Sequence, residues 1–219
     1  MTVYLLSLGR DRFEIYSEPP EKPGEPPSEG AGRLRRWAHE AYVRWHNLVE
    51  AARQRSSTGR IARWRDAAVR RLAETIAEQR TLWTLAHHHE ATLLFPASVG
   101  EQEARFALDR LLSAARRHHG WWIVVDAPLF VASGLAALIP GPNVLAYYLG
   151  FRLIGHWLSW RGARHAASGV EWTLEPDHSL AELASLVDVP RSARQSRVDA
   201  IAARLNLHRL SAFFERIAA

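Results

Sequence analysis

Three ionisable side chains stand inside the least polar stretch of this 219-residue sequence: Asp126, Arg152 and His156. Between Arg117 and Arg152 there is no Lys or Arg, and Asp126 is the one acidic residue. In apolar surroundings such groups face a partner or a water path, because an isolated charge there is costly. Asp can carry a proton and His titrates near neutrality, so the trio points to an ion or proton pathway. Folding the chain about Gly141 and Pro142 sets Asp126 level with residue 157, beside His156. Arg152 then lies about five residues deeper, roughly 7–8 Å at the helical rise. An Arg side chain bridges much of that distance, so Asp126 is expected to pair with Arg152 or with His156. The plainer expectation is an ion pair that merely neutralises itself near an interface, with snorkelling side chains.

The stretch itself reads as a hydrophobic helical hairpin. Trp121–Ile139 is nineteen residues, close to the roughly 20 that cross a bilayer core. Pro140, Gly141, Pro142 and Asn143 then break the helix with no charge to carry inward. Asn143–Trp160 forms a second arm, shorter and more polar. Trp121 and Trp122 open the first arm, and Trp157 and Trp160 close the second, so a hairpin puts all four at one interface. Arg116 and Arg117 precede them, and Arg161 and Arg164 follow, on the same side. The excess of Arg on that side places both termini in the cytoplasm. Membrane lipids are the expected surroundings, by full crossing, re-entry or interfacial lodging of the second arm. The competing expectation is a soluble helical protein that buries an apolar hairpin.

The elements around this hairpin are mostly helical, an α+β arrangement. Val3–Ser7 and Arg12–Ser17 read as a small N-terminal β-hairpin across Gly9-Arg10-Asp11. Glu18–Gly32 is rich in Pro and Gly and reads as a linker, residues 18–32. In Arg33–Arg55 and Arg60–Ala86 apolar residues recur every three or four positions, which predicts a long antiparallel helical hairpin. Ala91–Phe95 is a third candidate strand, able to join the first two. Ser98-Val99-Gly100-Glu101 is a capping box that opens a helix to about Arg117. Ser179-Leu180-Ala181-Glu182 is a second, opening Leu180–Val187. Pro190 starts a helix to about Leu205, and Leu207–Ile217 completes a C-terminal helical segment. The expected regions are 1–118, cytoplasmic; 119–162, the membrane hairpin; and 163–219.

Composition narrows the chemistry. There is no Cys, which removes disulfides, thiol catalysis and Cys-based zinc sites. The net charge of +5 comes almost wholly from Arg, since Lys22 is the only Lys. The nine Trp favour membrane–water boundaries. His87-His88-His89-Glu90 invites a metal reading, but consecutive helical residues point about 100° apart and cannot readily share one ion. No metal and no cofactor is expected. His118-His119 beside Arg116-Arg117 reads as a membrane-surface flank. No Walker loop, GxGxxG, GxSxG or HExxH is present, so an enzyme is not expected. Arg191, Arg194, Arg197, Arg204 and Arg209 mark the C-terminal helices, yet Asp188-Val189-Pro190 lacks the Gly usual in a helix-turn-helix, so no nucleic acid is expected.

The run Ile139-Pro140-Gly141-Pro142-Asn143-Val144, followed by Tyr148, Phe151-Arg152, His156 and Trp160-Arg161-Gly162, resembles the core of the mitochondrial potassium–proton exchange-related family. The opening VYLLSLGRDRFEIYSEPP resembles that family's start. The resemblance implies a membrane location and a part in potassium–proton exchange, either within an exchanger or accessory to it. It implies K+ and H+ as ions. One hairpin cannot by itself enclose a pathway, so a homo-oligomer or a transporter partner is expected. Met1–Ser17 has neither signal-peptide nor transit-peptide character, so the expected setting is a bacterial inner membrane. Two other functions fit the residues: a membrane-anchored helical adaptor without transport, or a soluble helical regulator.

Overall fold

The computed structural model describes residues 1–9, 11–18, 80–135 and 144–218. These belong to one compact unit, Met1–Glu18 with Gln79–Ala219. The expected linker beyond Glu18, the helical hairpin before residue 80 and the turn residues Pro140, Gly141, Pro142 and Asn143 lie outside the described residues.

Alternating apolar side chains build the sheet. Strands β1 (Thr2–Ser7) and β2 (Phe13–Tyr16) pair antiparallel, with Leu5 opposite Ile15. The turn between them uses positive φ at Gly9 (73°) and Asp11 (59°), conformations that Gly and Asp adopt at least cost. Strand β3 (Glu90–Pro96) lies parallel to β1, and β4 (Glu171–Asp177) lies parallel to β3. The order is β2-β1-β3-β4. The expected third strand thus joins the N-terminal hairpin, while β4 was not among the expected elements.

Two helices run between β3 and β4: α1 (Glu101–Leu135) and α2 (Val144–Ser168). Helix α1 begins at Glu101, inside the expected capping box, but does not stop near Arg117. It continues unbroken for 35 residues, because intrahelical hydrogen bonding is indifferent to the change from charged to apolar side chains. Gly120, the natural breaking point, faces the Trp160 ring of α2, which a Cβ there would meet at 3.4 Å. The divisions expected at 118/119 and 162/163 therefore both fall within a helix.

After β4 come α3 (His178–Ser185), α4 (Arg191–Arg204) and α5 (Leu210–Ile217). Asp177 caps α3, its carboxylate accepting from Leu180 N–H at 2.8 Å. Ser179, expected in that role, is instead buried inside the first turn. Pro190 precedes α4 as expected. Helix α5 starts at Leu210 rather than Leu207, since Asn206 takes positive φ (55°) and turns the chain.

Helices cover both faces of the sheet. Val3, Leu5, Leu93 and Phe95 pack with Leu82 and Leu85, with Ala104, Leu108 and Leu112 of α1, and with Ala163 and Ala166 of α2. Leu6 and Tyr16 pack on the other face with Leu180, Leu183, Val198, Ile201, Leu210 and Phe214. Each fully buried Leu contributes about 1.5–3 kcal/mol. Arg194 and Glu215 staple the second layer: the guanidinium makes two 3.0 Å bonds to the carboxylate, and its remaining nitrogen reaches the carbonyl of Val187 at 2.7 Å.

The side chains that α1 and α2 bury against the sheet are alanines and leucines, whereas α1 beyond Trp121 contributes nothing to either core. Among the described residues no helix is long and apolar enough to cross a membrane. Asp126 and Pro128 interrupt the apolar run of α1. The expectation of a two-span hairpin thus goes beyond these helices.

Candidate functional site

The distal parts of α1 and α2 bring together every ionisable residue expected there. Asp126 lies on α1 in line with Trp122 and with the pair His118 and His119, one and two turns earlier. Arg152 and His156 lie one turn apart on α2. Across the seam, Arg152 Nε donates to Asp126 Oδ2 at 2.9 Å. His156 Nε2 stands 3.8 Å from the same oxygen. Asp126 is fully buried, and its other oxygen, Oδ1, has no hydrogen-bond partner.

Trp122 closes this group from one side. The Arg152 guanidinium lies over its ring, 4.3 Å from the centroid, a cation–π contact. The His156 ring stacks on the same indole, 13° from parallel. His156 then reaches His119: their Nδ1 atoms are 2.9 Å apart. His118 borders both rings. His119 is buried, and that burial, with His156 and His118 beside it, lowers its pKa to about 4. The site is thus a ladder running His118/His119, His156, Asp126, Arg152, with an indole as its wall.

The helical register differs from that of a hairpin folded at Gly141/Pro142. A Cβ on Gly150 would touch the Phe130 ring at 3.0 Å, and one on Gly120 would touch Trp160. Both contacts straddle position 140 evenly in sequence, so Asp126 is level with residue 154 rather than 157. The three-residue offset moves Arg152 nearer by about 4.5 Å, and the guanidinium becomes the carboxylate's closest partner. His119 and Trp122 were not expected in the site. Their spacing of seven and four residues from Asp126 is the signal that points to them.

The four tryptophans divide by exposure. Trp121 and Trp157 face outward, at 66% and 46% exposed, while Trp122 and Trp160 are half-buried between the helices. Arg161 lies over Trp157, and Arg164 over Trp160. Elsewhere, His88 and His89 lie in the loop before β3, where the His88 carbonyl contacts His165 Nε2 at 3.0 Å. Among the described residues no group of His, Asp or Glu is arranged to hold a metal ion. Of the C-terminal arginines, Arg191 and Arg194 pair with Glu215, and Arg197 and Arg204 with Glu182.

No curated protein and no solved structure matches this chain. The family model described as mitochondrial K+-H+ exchange-related matches residues 3–169, from β1 to the end of α2. That span holds three of the four strands, the whole α1–α2 pair and the entire ionisable ladder, and the chain belongs to the mitochondrial K+-H+ exchange-related family.

Proposed function

We propose that the protein is a membrane-embedded accessory of a cation–proton exchanger, with the distal α1–α2 hairpin lodged in the bilayer from one face. One observation carries this reading. Among the described residues, nine of the ten exposed large apolar side chains lie between Trp121 and Trp157: Trp121, Val124, Leu129, Phe130, Val131, Tyr148, Phe151, Ile154 and Trp157. So many exposed apolar side chains gathered on one part of the molecule are a liability in water and call for lipid or another protein. The half that packs on the sheet has only Phe106 in that class.

Lodging from one face suits helices whose apolar runs are interrupted by Asp126 and Arg152, and sets Trp121 and Trp157 at the headgroup level with the Arg161 and Arg164 cations beside them. On this reading the sheet and the C-terminal helices stay in the aqueous phase on the side of both termini, the cytoplasmic side of a bacterial inner membrane. The accessory role follows from charge. Asp126 is the one acidic residue of the hairpin and is held by Arg152 at 2.9 Å, so a K+ ion there would meet a guanidinium. A single hairpin also encloses no path of its own.

Two measurements test this. Membranes expressing the protein should retain it through an alkaline carbonate wash, and Val131→Asp with Ile154→Asp should release it. Recovery of the native protein in the wash ends the membrane reading. Proteoliposomes of pure protein should show no potassium-dependent pH change, whereas membrane vesicles lacking the protein should lose part of theirs. Exchange by the pure protein would replace the accessory role with that of the exchanger itself.

A further inference from the structure

We propose that His119 and His156 form a one-proton site, in which a shared hydrogen bond admits a single proton and delivers its charge to Asp126. The argument starts from tautomers. Two imidazole nitrogens 2.9 Å apart need one N–H and one lone pair between them. His156 turns its Nε2 toward the Asp126 carboxylate, an acceptor, so that nitrogen carries the hydrogen. A neutral His156 with Nε2–H has its lone pair on Nδ1. His119 must then be the donor through Nδ1–H, which leaves the lone pair of His119 Nε2 as the one vacant nitrogen of the pair.

A proton entering the pair therefore binds at His119 Nε2. The His119 Nδ1–H bond can then break, its electron pair staying on that nitrogen, while the proton bonds to His156 Nδ1. His119 returns to neutral in its other tautomer, and the positive charge now sits on His156 against the carboxylate. A second proton finds no free nitrogen unless the shared bond is broken. Asp126 has room for the incoming charge, since Oδ2 already holds Arg152 and the buried Oδ1 has no partner. The ionisable groups around the pair are His118 and Asp126 on α1 and Arg152 on α2, with Tyr148 beside Arg152. The site thus couples proton uptake at the base of the hairpin to the strength of the Arg152–Asp126 bond.

The proposal concerns the ladder of the accessory reading but needs neither lipid insertion nor flux. It is tested on the full chain labelled with 15N-histidine, in detergent and in lipid nanodiscs, by long-range 1H–15N spectra, with His119→Gln and His156→Gln used only to assign the two rings. The expected result is a His119 ring protonated at Nδ1 and a His156 ring protonated at Nε2. On acidification the pair should take up one proton in a single step shared by both rings. In Asp126→Asn the His156 ring should lose its preference for Nε2–H. Two rings that titrate separately, each near the ordinary value of about 6.5, would overturn the shared bond. An unchanged His156 tautomer in Asp126→Asn would overturn the delivery to Asp126. The carbonate wash can fail while this result stands, and the reverse, so the two readings are told apart.

Discussion

Replacing Gly162 with alanine should unseat helical residues 80–85 from α2. The new β-carbon would lie 1.9 Å from the Leu82 carbonyl oxygen and 2.5 Å from its carbon. Comfortable contact is about 3.5 Å, so the two backbones must part by about 1.5 Å. Neither can swing aside, because both are helical main chain. The seam also holds Leu82 and Leu85, 5% and 0% exposed, and the 2.8 Å bond from Trp83 Nε1 to Ser159 Oγ. Overpacking of this kind costs about 1–3 kcal/mol, and losing part of two leucine burials, each worth about 1.5–3 kcal/mol when complete, brings the total to about 3 kcal/mol. For a unit of this size each kcal/mol moves the midpoint by about 2–4 °C, so Gly162→Ala should melt about 6–12 °C lower by circular dichroism. Gly100→Ala is the control: its β-carbon meets nothing within 4 Å, and the loss should stay under about 1 kcal/mol. If the two variants melt together, the close approach of residues 80–85 to α2 is wrong.

Other outcomes follow from the charges. Arg194→Met strips a buried carboxylate of its bidentate partner, leaving exposed Arg191 at 3.5 Å, and should cost about 3–5 kcal/mol in urea unfolding; a loss below about 1 kcal/mol would contradict that burial. Asp126→Ala leaves Arg152 on the Trp122 ring but without its anion, and should cost about 1–3 kcal/mol, read from the same unfolding curves. For His119 the folded pKa of about 4 lies below the ordinary value of about 6.5. Its contribution is fully present above about pH 6.5 and is lost as the pH falls toward about 4. His119→Gln should therefore flatten the fall of melting temperature across that window, and an unchanged slope would speak against the buried neutral ring.

Local patterns were enough for much of the fold, and failed where pairing was remote. Alternation and turn residues disclose β1 and β2, and the short apolar run discloses β3. Strand β4 carries the same mark, Trp172 and Leu174 two apart, but its Glu, Pro and Asp residues look like a loop. It becomes a strand because Glu90–Pro96 offers a parallel partner some eighty residues away, and no window of sequence contains that partner. The break expected at Arg117 failed for the opposite reason. The change there is in what the helix carries, core side chains against the sheet before and exposed apolar side chains after, while the hydrogen bonds that make it a helix run on.

The site shows the same division at finer scale. That Asp126 must find Arg152 or His156 follows from burial cost and from the turn being close by, and both are in reach. Which one touches it depends on register, and a proline-rich turn does not announce where two helices become level. Packing decides it: Gly120 lies under the Trp160 ring and Gly150 under the Phe130 ring, and these contacts move the level point by three residues. His119 was hidden by its neighbours, since Arg116 and Arg117 make the whole segment look like a charged flank. Counting back two helical turns from Asp126 puts it on the inner face instead. A histidine there, with a second one on the facing helix, completes a line from the sheet-side end of the helix pair to its one carboxylate.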